Sequence, residues 1–138
     1  MGSVSIDGAI LNRIGPGLLV LLAIGKQDQE ADLDWMVEKV LHLRCFDDDQ
    51  GKMNRSVQDH RGEILCISQF TLYGDCQRGN RPSFDKAAAT PLAFDLYQKF
   101  IDKVAEKGII IKAGKFGARM TVSLVNEGPV TLILDSKS

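Results

Sequence analysis

The residues best suited to chemistry lie where Ser68, Gln69 and Thr71 interrupt an apolar β-type run that spans 64–72. These three side chains can all form hydrogen bonds, which a strand built only for packing would not need, so the stretch could deliver chemistry at the carboxyl end of a strand. Alternation along a strand would place these polar groups on both faces near its end. The same pattern also fits a core strand that fades into a polar turn, so this stretch alone leaves two interpretations open.

Nucleophilic and metal-assisted alternatives have weaker support. We take Thr71 as the one candidate side-chain nucleophile of this stretch, but no His, Lys or carboxylate stands beside it to activate its hydroxyl. His42 and His60 lie at a predicted helix end and in a polar loop, so a histidine triad or a zinc site is not favoured. Residues 47–52 lack the alternating ligands and terminal Glu of a calcium loop.

A second polar stretch, residues 126–131, reads Asn-Glu-Gly-Pro-Val-Thr and lies between two β-type runs. Its Gly128-Pro129 pair requires a tight backbone path. An X–Pro bond costs only ~0.5 to 1 kcal/mol to hold in the cis form, although a trans turn is the commoner arrangement. The sequence alone therefore leaves the isomer open.

Length and composition predict one globular domain over residues 1–138. The formal net charge of -1 excludes a generally cationic nucleic-acid coat but leaves room for a local basic patch. Three cysteines at no metal-ligand spacing indicate thiols in a reducing compartment. The longest apolar run, 17–25, is shorter than the ~20 residues of a membrane span, and no signal-peptide pattern is present, so we expect a cytoplasmic protein without membrane contact.

The remaining patterns predict an α+β fold. Asp7-Gly8 is typical of a hairpin turn, and the continuous apolar run 17–25 of a strand covered on both faces. Apolar residues at three- and four-residue steps predict one helix over 29–43 and a second that opens at Thr90-Pro91 and ends at Gly108. Further strands are predicted at 64–72, 109–112, 120–125 and 130–134.

The two polar stretches together resemble the paired signature of the D-aminoacyl-tRNA deacylases, Ser-Gln-Phe-Thr-Leu at 68–72 and Asn-Glu-Gly-Pro-Val-Thr at 126–131. The likeness continues in order along the chain, through residues 17–22, Arg44, Phe46, 51–54, 81–84, 115–118 and Met120.

The resemblance implies a hydrolase of translation quality control. Its substrate is the ester between a D-amino acid, or glycine, and the terminal ribose of tRNA, and L-aminoacyl-tRNA is rejected. It implies no metal and no cofactor, and mostly antiparallel, barrel-like subunits with two helices that form a homodimer with sites at the interface. A cis Gly128-Pro129 pair enters the partner's site, where rigid main chain excludes an L side chain.

Residue roles follow from the same likeness. The expected catalytic group is Ser68, Gln69, Phe70 and Thr71, with the Phe70 N–H at the oxyanion and the ribose 2′-hydroxyl, rather than Thr71, activating water. Expected substrate-binding residues are Asn126, Gly128, Pro129, Thr131 and Met120, the last against the terminal adenine. Cations that could reach the phosphates of the acceptor end are Arg78, Arg81, Lys86, Lys112, Lys115 and Arg119.

One departure and two alternatives accompany this hypothesis. Family members usually begin with a further strand carrying a Gln-Arg pair before the equivalent of Ser3, and this sequence lacks it. Its loss would uncover a sheet edge and put dimerisation and stereochemical strictness in doubt. The alternatives are a sister deacylase that removes L-alanine and a non-catalytic protein that binds the tRNA acceptor end.

Overall fold

The computed structural model describes residues 1–137. Within them the chain forms eight strands, two α-helices and one 3-10 turn: β1 (Gly2–Ile6), β2 (Ala9–Ile14), β3 (Gly17–Leu22), α1 (Glu30–His42), β4 (Phe46–Asp47), β5 (Met53–Arg55), β6 (Glu63–Ser68), the 3-10 turn (Phe70–Tyr73), α2 (Thr90–Glu106), β7 (Ile111–Ala113) and β8 (Thr121–Leu124).

The first sheet is antiparallel, in the order β2-β1-β8. Its hairpin turns at Asp7 and Gly8, whose φ angles of 50° and 82° are those of the type I′ turn that Asp-Gly favours. A separate two-stranded hairpin, β4-β5, is also antiparallel. The predicted hairpin at the start of the chain is therefore confirmed.

The second sheet is parallel, in the order β3-β6-β7. Parallel strands need long crossovers, and here α1 lies in the connection from β3 to β6 and α2 in the connection from β6 to β7. Two of the three sheets are antiparallel, as predicted, whereas this one is parallel. The described residues form open sheets, so the predicted barrel-like arrangement is not formed. The continuous apolar sequences of β3 and β6 suit parallel strands packed on both faces.

Strand β6 is the centre of the core, because its two faces pack against different layers. Ile64 and Cys66 belong to a cluster with α1 and α2, which includes Leu41 and Phe100. Leu65 and Ile67 point the other way, into a cluster with residues of the antiparallel sheet, Val4, Ile14 and Val122. This alternation places the antiparallel sheet, the parallel sheet and the helices in three successive layers.

Both predicted helices are present. The first turn of α1 is closed by the Gln29 N–H, which donates to Asp32 Oδ2 at 2.9 Å. Helix α2 has Pro91 in its first turn and is followed by Gly108 at a φ of 85°. Neither helix is both long and apolar enough to span a membrane among the described residues.

Two predicted strands differ from the structure. The strand expected over 64–72 ends at Ser68, and the chain then curls into the 3-10 turn. The strand expected over 130–134 is not formed, because this segment gains no strand partner within residues 1–137 and leaves Ile133 95% exposed.

Candidate active site

The polar group predicted from sequence lies at the carboxyl end of the parallel sheet. Ser68 is the last residue of β6 and stands opposite Leu22, the last residue of β3. The Gln69 N–H donates to the Leu22 carbonyl at 2.8 Å, so main-chain pairing continues one residue beyond the strand. Ligands of open parallel sheets bind outside this end. The fold therefore places Ser68 and Gln69 where a substrate can reach them.

Residues 68–73, which we call the 68–73 turn, change direction at Gln69, where φ is -143° and ψ is 76°. Leu72 N–H donates to the Gln69 carbonyl at 3.2 Å, and Gly74 N–H to the Thr71 carbonyl at 2.9 Å. The Phe70 N–H precedes these bonds as the first donor of the 3-10 turn, a position that has no partner within the turn itself. This donor suits a substrate oxygen.

Thr71 is oriented by its neighbour and is not activated. The Gln69 side-chain amide donates to the Thr71 hydroxyl oxygen, and Thr71 is exposed. No His, Lys or carboxylate contacts this hydroxyl within residues 1–137. A threonine without a general base is a poor nucleophile, so the arrangement favours a positioning role for Thr71.

Tyr73 anchors the far end of the 68–73 turn, a role that sequence reasoning missed. Its hydroxyl lies against Gly25, where an added Cβ would come within 2.6 Å of it. The Gly25 N–H in turn donates to Asp28 Oδ2 at 2.7 Å. Burial, followed by the nearby Asp28 carboxylate, raises the pKa of Tyr73, so the phenol stays protonated.

An aromatic contact ties the 68–73 turn to the loop that follows it. The Phe70 and Phe84 rings meet edge to face with centroids 5.1 Å apart. The base of the loop is closed by main-chain bonds between Asp75 and Ser83, at 2.7 and 2.9 Å. Phe84 is part of the 81–84 motif noted above, which was the available signal for this contact.

Residues 126–131, which we call the Gly-Pro turn, are held together by one amide. Asn126 Nδ2 donates to Thr131 Oγ1 at 2.9 Å, and Asn126 Oδ1 accepts from the Val130 N–H at 3.2 Å. The bond between Gly128 and Pro129 is cis, as the resemblance implied. Every residue of the turn is exposed. Asn126, Thr131, Gly128 and Pro129 thus form one local unit.

Met120 lies apart from this turn and is partly buried. It packs with Leu65 and Ile67 in the cluster facing the antiparallel sheet, and its sulfur lies over Gly114. This is the packing role common for a methionine. A contact with adenine stays a prediction.

The two groups are not joined within one chain. Among residues 1–137 no hydrogen bond links the 68–73 turn to the Gly-Pro turn. The first group is part of the parallel sheet, and the second follows β8 of the antiparallel sheet. The apolar side chains near the second group are exposed, at 64% for Val125 and 55% for Leu132.

The described residues contain no cluster of three or more His, Cys, Asp or Glu side chains that could hold a metal ion. Burial raises the pKa of Cys66 to about 12 and also raises that of Cys45. These two thiols are therefore protonated near neutral pH and unsuited to nucleophilic attack.

Comparison with solved structures places this fold in a known class. The chain superposes with a TM-score of 0.91 on a structure described as the c-Myc DNA Unwinding Element Binding Protein, at 43% identity, covering 97% of this chain and 91% of that one. It superposes with a TM-score of 0.77 on a probable eukaryotic D-amino acid tRNA deacylase, covering 91% and 89% of the two chains, where 17% identity establishes the fold alone. By architecture the chain is an α+β protein of the class that includes this deacylase.

Sequence comparison narrows the class to a family. The family described as D-Tyr-tRNA(Tyr) deacylase matches residues 1–135. The D-aminoacyl-tRNA deacylase of Desulfitobacterium hafniense (strain DSM 10664 / DCB-2) is 55% identical over 135 residues, covering 98% of this chain and 91% of the relative. That of Thermosipho melanesiensis is 52% identical over 136 residues, with the same coverage. The chain belongs to the D-Tyr-tRNA(Tyr) deacylase family, which confirms the family predicted from the two motifs and the assignment to the hydrolases.

Proposed function

We propose that this chain hydrolyses the ester that joins a D-amino acid, or glycine, to the terminal ribose of tRNA. The observation that carries the proposal is the 68–73 turn, in which the main-chain N–H of the exposed residue Phe70 has no partner within the turn and stands beside an oriented, unactivated Thr71. Family membership supports the same reaction. Aminoacyl-tRNA is used in translation, so we expect the enzyme to act in the cytoplasm.

The proposed step needs little from side chains. Water attacks the ester carbonyl carbon, and the Phe70 N–H stabilises the oxyanion while Ser68 and Gln69 hold the turn. The ribose 2′-hydroxyl next to the ester orients and activates the water. The bond between the carbonyl carbon and the ribose oxygen then breaks, and the ribose oxygen takes up the proton that the water releases. The products are the free amino acid and tRNA.

We place the complete site between two copies of the chain. The Gly-Pro turn is fixed by its own amide bridge and is unconnected to the 68–73 turn of the same chain. Exposed apolar side chains on either side of it, Val125, Leu132 and Ile133, offer surface for a second copy to cover. In the homodimer, Gly128 and Pro129 of one chain would face Ser68 of the other.

Selection between D and L substrates follows from what the Gly-Pro turn exposes. Gly128 has no side chain, so main-chain atoms form the wall where an L side chain would have to go. Main chain gives way less readily than a rotatable side chain, and its carbonyls can accept hydrogen bonds from the substrate ammonium group. Glycine has no side chain to clash with the wall and is expected to be hydrolysed.

The test is a comparison of amino acid release from tRNA charged with D-Tyr, Gly, L-Ala and L-Tyr. We expect release of D-Tyr and Gly and retention of L-Tyr. Release of L-Ala would indicate the sister deacylase. Binding of tRNA without any release would indicate a non-catalytic protein of the acceptor end. The mass of the protein in solution, measured alongside, should be that of a dimer, and a monomer active on D-Tyr would contradict the shared site.

A further inference from the structure

The positive charges of this protein are distributed unequally between two of its regions. On the helices, Lys99 pairs with Asp95 at 3.4 Å, and Lys107 pairs with Glu38 at 3.6 Å. Lys103 pairs with Glu30 at 3.2 Å and also with Asp34. The remaining helical lysine outside these pairs, Lys39, lies over the Trp35 ring at 5.4 Å.

The cations at the carboxyl end of the parallel sheet have no such partners. We call this set the basic rim, and its members are Lys26, Arg78, Arg81, Lys86 and Lys115. All five side chains are exposed, and none forms an ion pair within residues 1–137. Single unpaired cations such as Arg13 and Lys52 occur elsewhere, on separate hairpins.

Main-chain bonds fix the rim to the candidate active site. The Lys26 N–H donates to the Lys86 carbonyl at 3.0 Å, which joins the loop after β3 to the loop that carries both arginines. The Gly114 N–H, one residue before Lys115, donates to the Cys66 carbonyl of β6 at 3.2 Å. The first bond joins two of the loops to each other, and the second joins the third loop to β6, the strand that ends at Ser68.

The loop with Arg78 and Arg81 is a closed structure rather than a loose tail. Its base is the Asp75–Ser83 main-chain pair, and it turns at Gly79 with a φ of 63°. The Asp75 carboxylate accepts from the Gln77 N–H at 3.0 Å, so this acid bonds to the loop's own main chain and not to an arginine. The Phe84–Phe70 contact joins the loop to the oxyanion donor.

We propose that the basic rim binds backbone phosphates of the tRNA acceptor end and thereby positions the ester over the 68–73 turn. This inference rests on the proposed function. Arginine side chains bind phosphate through two parallel N–H bonds, and unpaired ones do so without first breaking an ion pair. Because the chain carries a net charge of -1, its charge as a whole does not attract RNA, and the rim supplies a local attraction beside the chemistry.

The test is the double variant Arg78→Gln/Arg81→Gln, with Lys99→Gln/Lys107→Gln as the control of equal charge change on the helices. Rates on D-Tyr-tRNA and on D-tyrosyl-adenosine, which lacks the acceptor-stem phosphates, are measured against salt concentration. We expect KM for D-Tyr-tRNA to rise at least tenfold in the arginine variant, with kcat reduced less than threefold. The logarithmic salt slope should fall by ~1.5, since each lost phosphate contact removes ~0.7 to 0.9. On D-tyrosyl-adenosine the loss should stay below threefold.

Two results would contradict the proposal that the basic rim binds phosphates. One is a KM on D-Tyr-tRNA no higher than that of the lysine control. The other is an equal loss on both substrates, which would mean that the arginines shape the turn and do not hold RNA. Failure of the proposed function has a different signature, because the unaltered protein would then release nothing from either substrate. In that case, anisotropy of labelled uncharged tRNA still tests the rim through the same two double variants.

Discussion

The 68–73 turn and the Gly-Pro turn are held in place by different means. The first continues a buried strand, is joined by main chain to β3, and has Tyr73 and Phe70 packed against Gly25 and Phe84. The second is fully exposed and depends on the Asn126 amide. The oxyanion donor is thus preorganised by the core of its own chain, whereas the chiral wall is a local unit that can be presented to another chain.

The largest expected effect comes from damaging the sheet beneath the first turn. In Gly17→Ala the new Cβ would lie 1.8 Å from the Glu63 carbonyl oxygen, so β3 and β6 could not keep their register. Such a main-chain clash should lower the free energy of unfolding by more than about 4 kcal/mol. Chemical denaturation measures this loss. The control Gly15→Ala, where the nearest atom is 3.7 Å away, should change stability little, and equal effects would contradict the explanation.

Damage to the second turn should affect selectivity and leave the fold intact. Gly128 has a φ of 131°, and a Cβ there would lie 3.0 Å from Val130 Cγ2 and 3.1 Å from the Val130 nitrogen. Gly128→Ala must therefore shift the main chain that forms the wall. We expect the ratio of D-Tyr to L-Tyr release to fall by roughly 30- to 150-fold, since a displaced wall gives up ~2 to 3 kcal/mol of discrimination.

The same variant should lower the free energy of unfolding by only about 1 to 3 kcal/mol, the cost of an L side chain at this positive φ, because the turn is exposed and makes no core contact. The control is Glu127→Gln, an exposed neighbour in the same turn. An unchanged D-to-L ratio in Gly128→Ala, measured with a folded protein, would refute the assignment of the wall to this turn.

A smaller effect is expected at Thr71, where the two regions would meet across the dimer. Thr71→Ala removes the hydroxyl that accepts from Gln69 and leaves the Phe70 N–H in place. Loss of one exposed hydrogen bond amounts to ~0.5 to 1.5 kcal/mol, so kcat should fall less than about tenfold. A fall to the rate without enzyme, restored by Thr71→Ser, would instead identify Thr71 as the nucleophile.

The elements of the fold also differ in how well the sequence could predict them. Helices α1 and α2 and the Asp7-Gly8 hairpin follow from periodicity and local turn chemistry, which depend on near neighbours only. The end of β6 at Ser68 could not be predicted in this way. It depends on the 3-10 turn, which is stabilised by contacts between distant parts of the chain, of Tyr73 with Gly25 and of Phe70 with Phe84. The apolar sequence of a strand likewise does not indicate whether the neighbouring strand runs parallel or antiparallel to it.

The segment that follows the Gly-Pro turn shows a second limit of prediction from the sequence. The β-type run in residues 130–134 predicted a strand, and this prediction is wrong, because a strand also needs a partner and within residues 1–137 none pairs with it. Residue types and family likeness pointed to both halves of the candidate site. Four of the five residues of the basic rim were among the cations that the sequence suggested for phosphate contact. The sequence could not show that they are unpaired, since whether a cation is paired depends on which acids the fold brings near it.

The smallest expected effect concerns the C-terminal segment that follows the Gly-Pro turn. Ser136 Oγ donates to Asp32 Oδ1 at 2.9 Å and Lys137 Nζ to Asp32 Oδ2 at 3.0 Å, so one carboxylate fastens this segment to the start of α1. If this attachment also restrains the Gly-Pro turn, Asp32→Asn should weaken both stability and selectivity. If the Asn126 bridge suffices, as we expect, only stability should fall, by about 0.5 to 1 kcal/mol, the range for a weakened helix start.

The effect should depend on pH with a defined sign. The Gln29 N–H and then Lys137 lower the pKa of Asp32 from its ordinary 3.8. Because the folded state favours the carboxylate, its contribution is fully present above that ordinary value and is lost as pH falls through the lower folded value. The stability difference between the unaltered protein and Asp32→Asn, measured by denaturation, should thus be constant from about pH 5 to 7 and shrink below the ordinary value. A difference that grew on acidification would show that the carboxylate does not act through its charge.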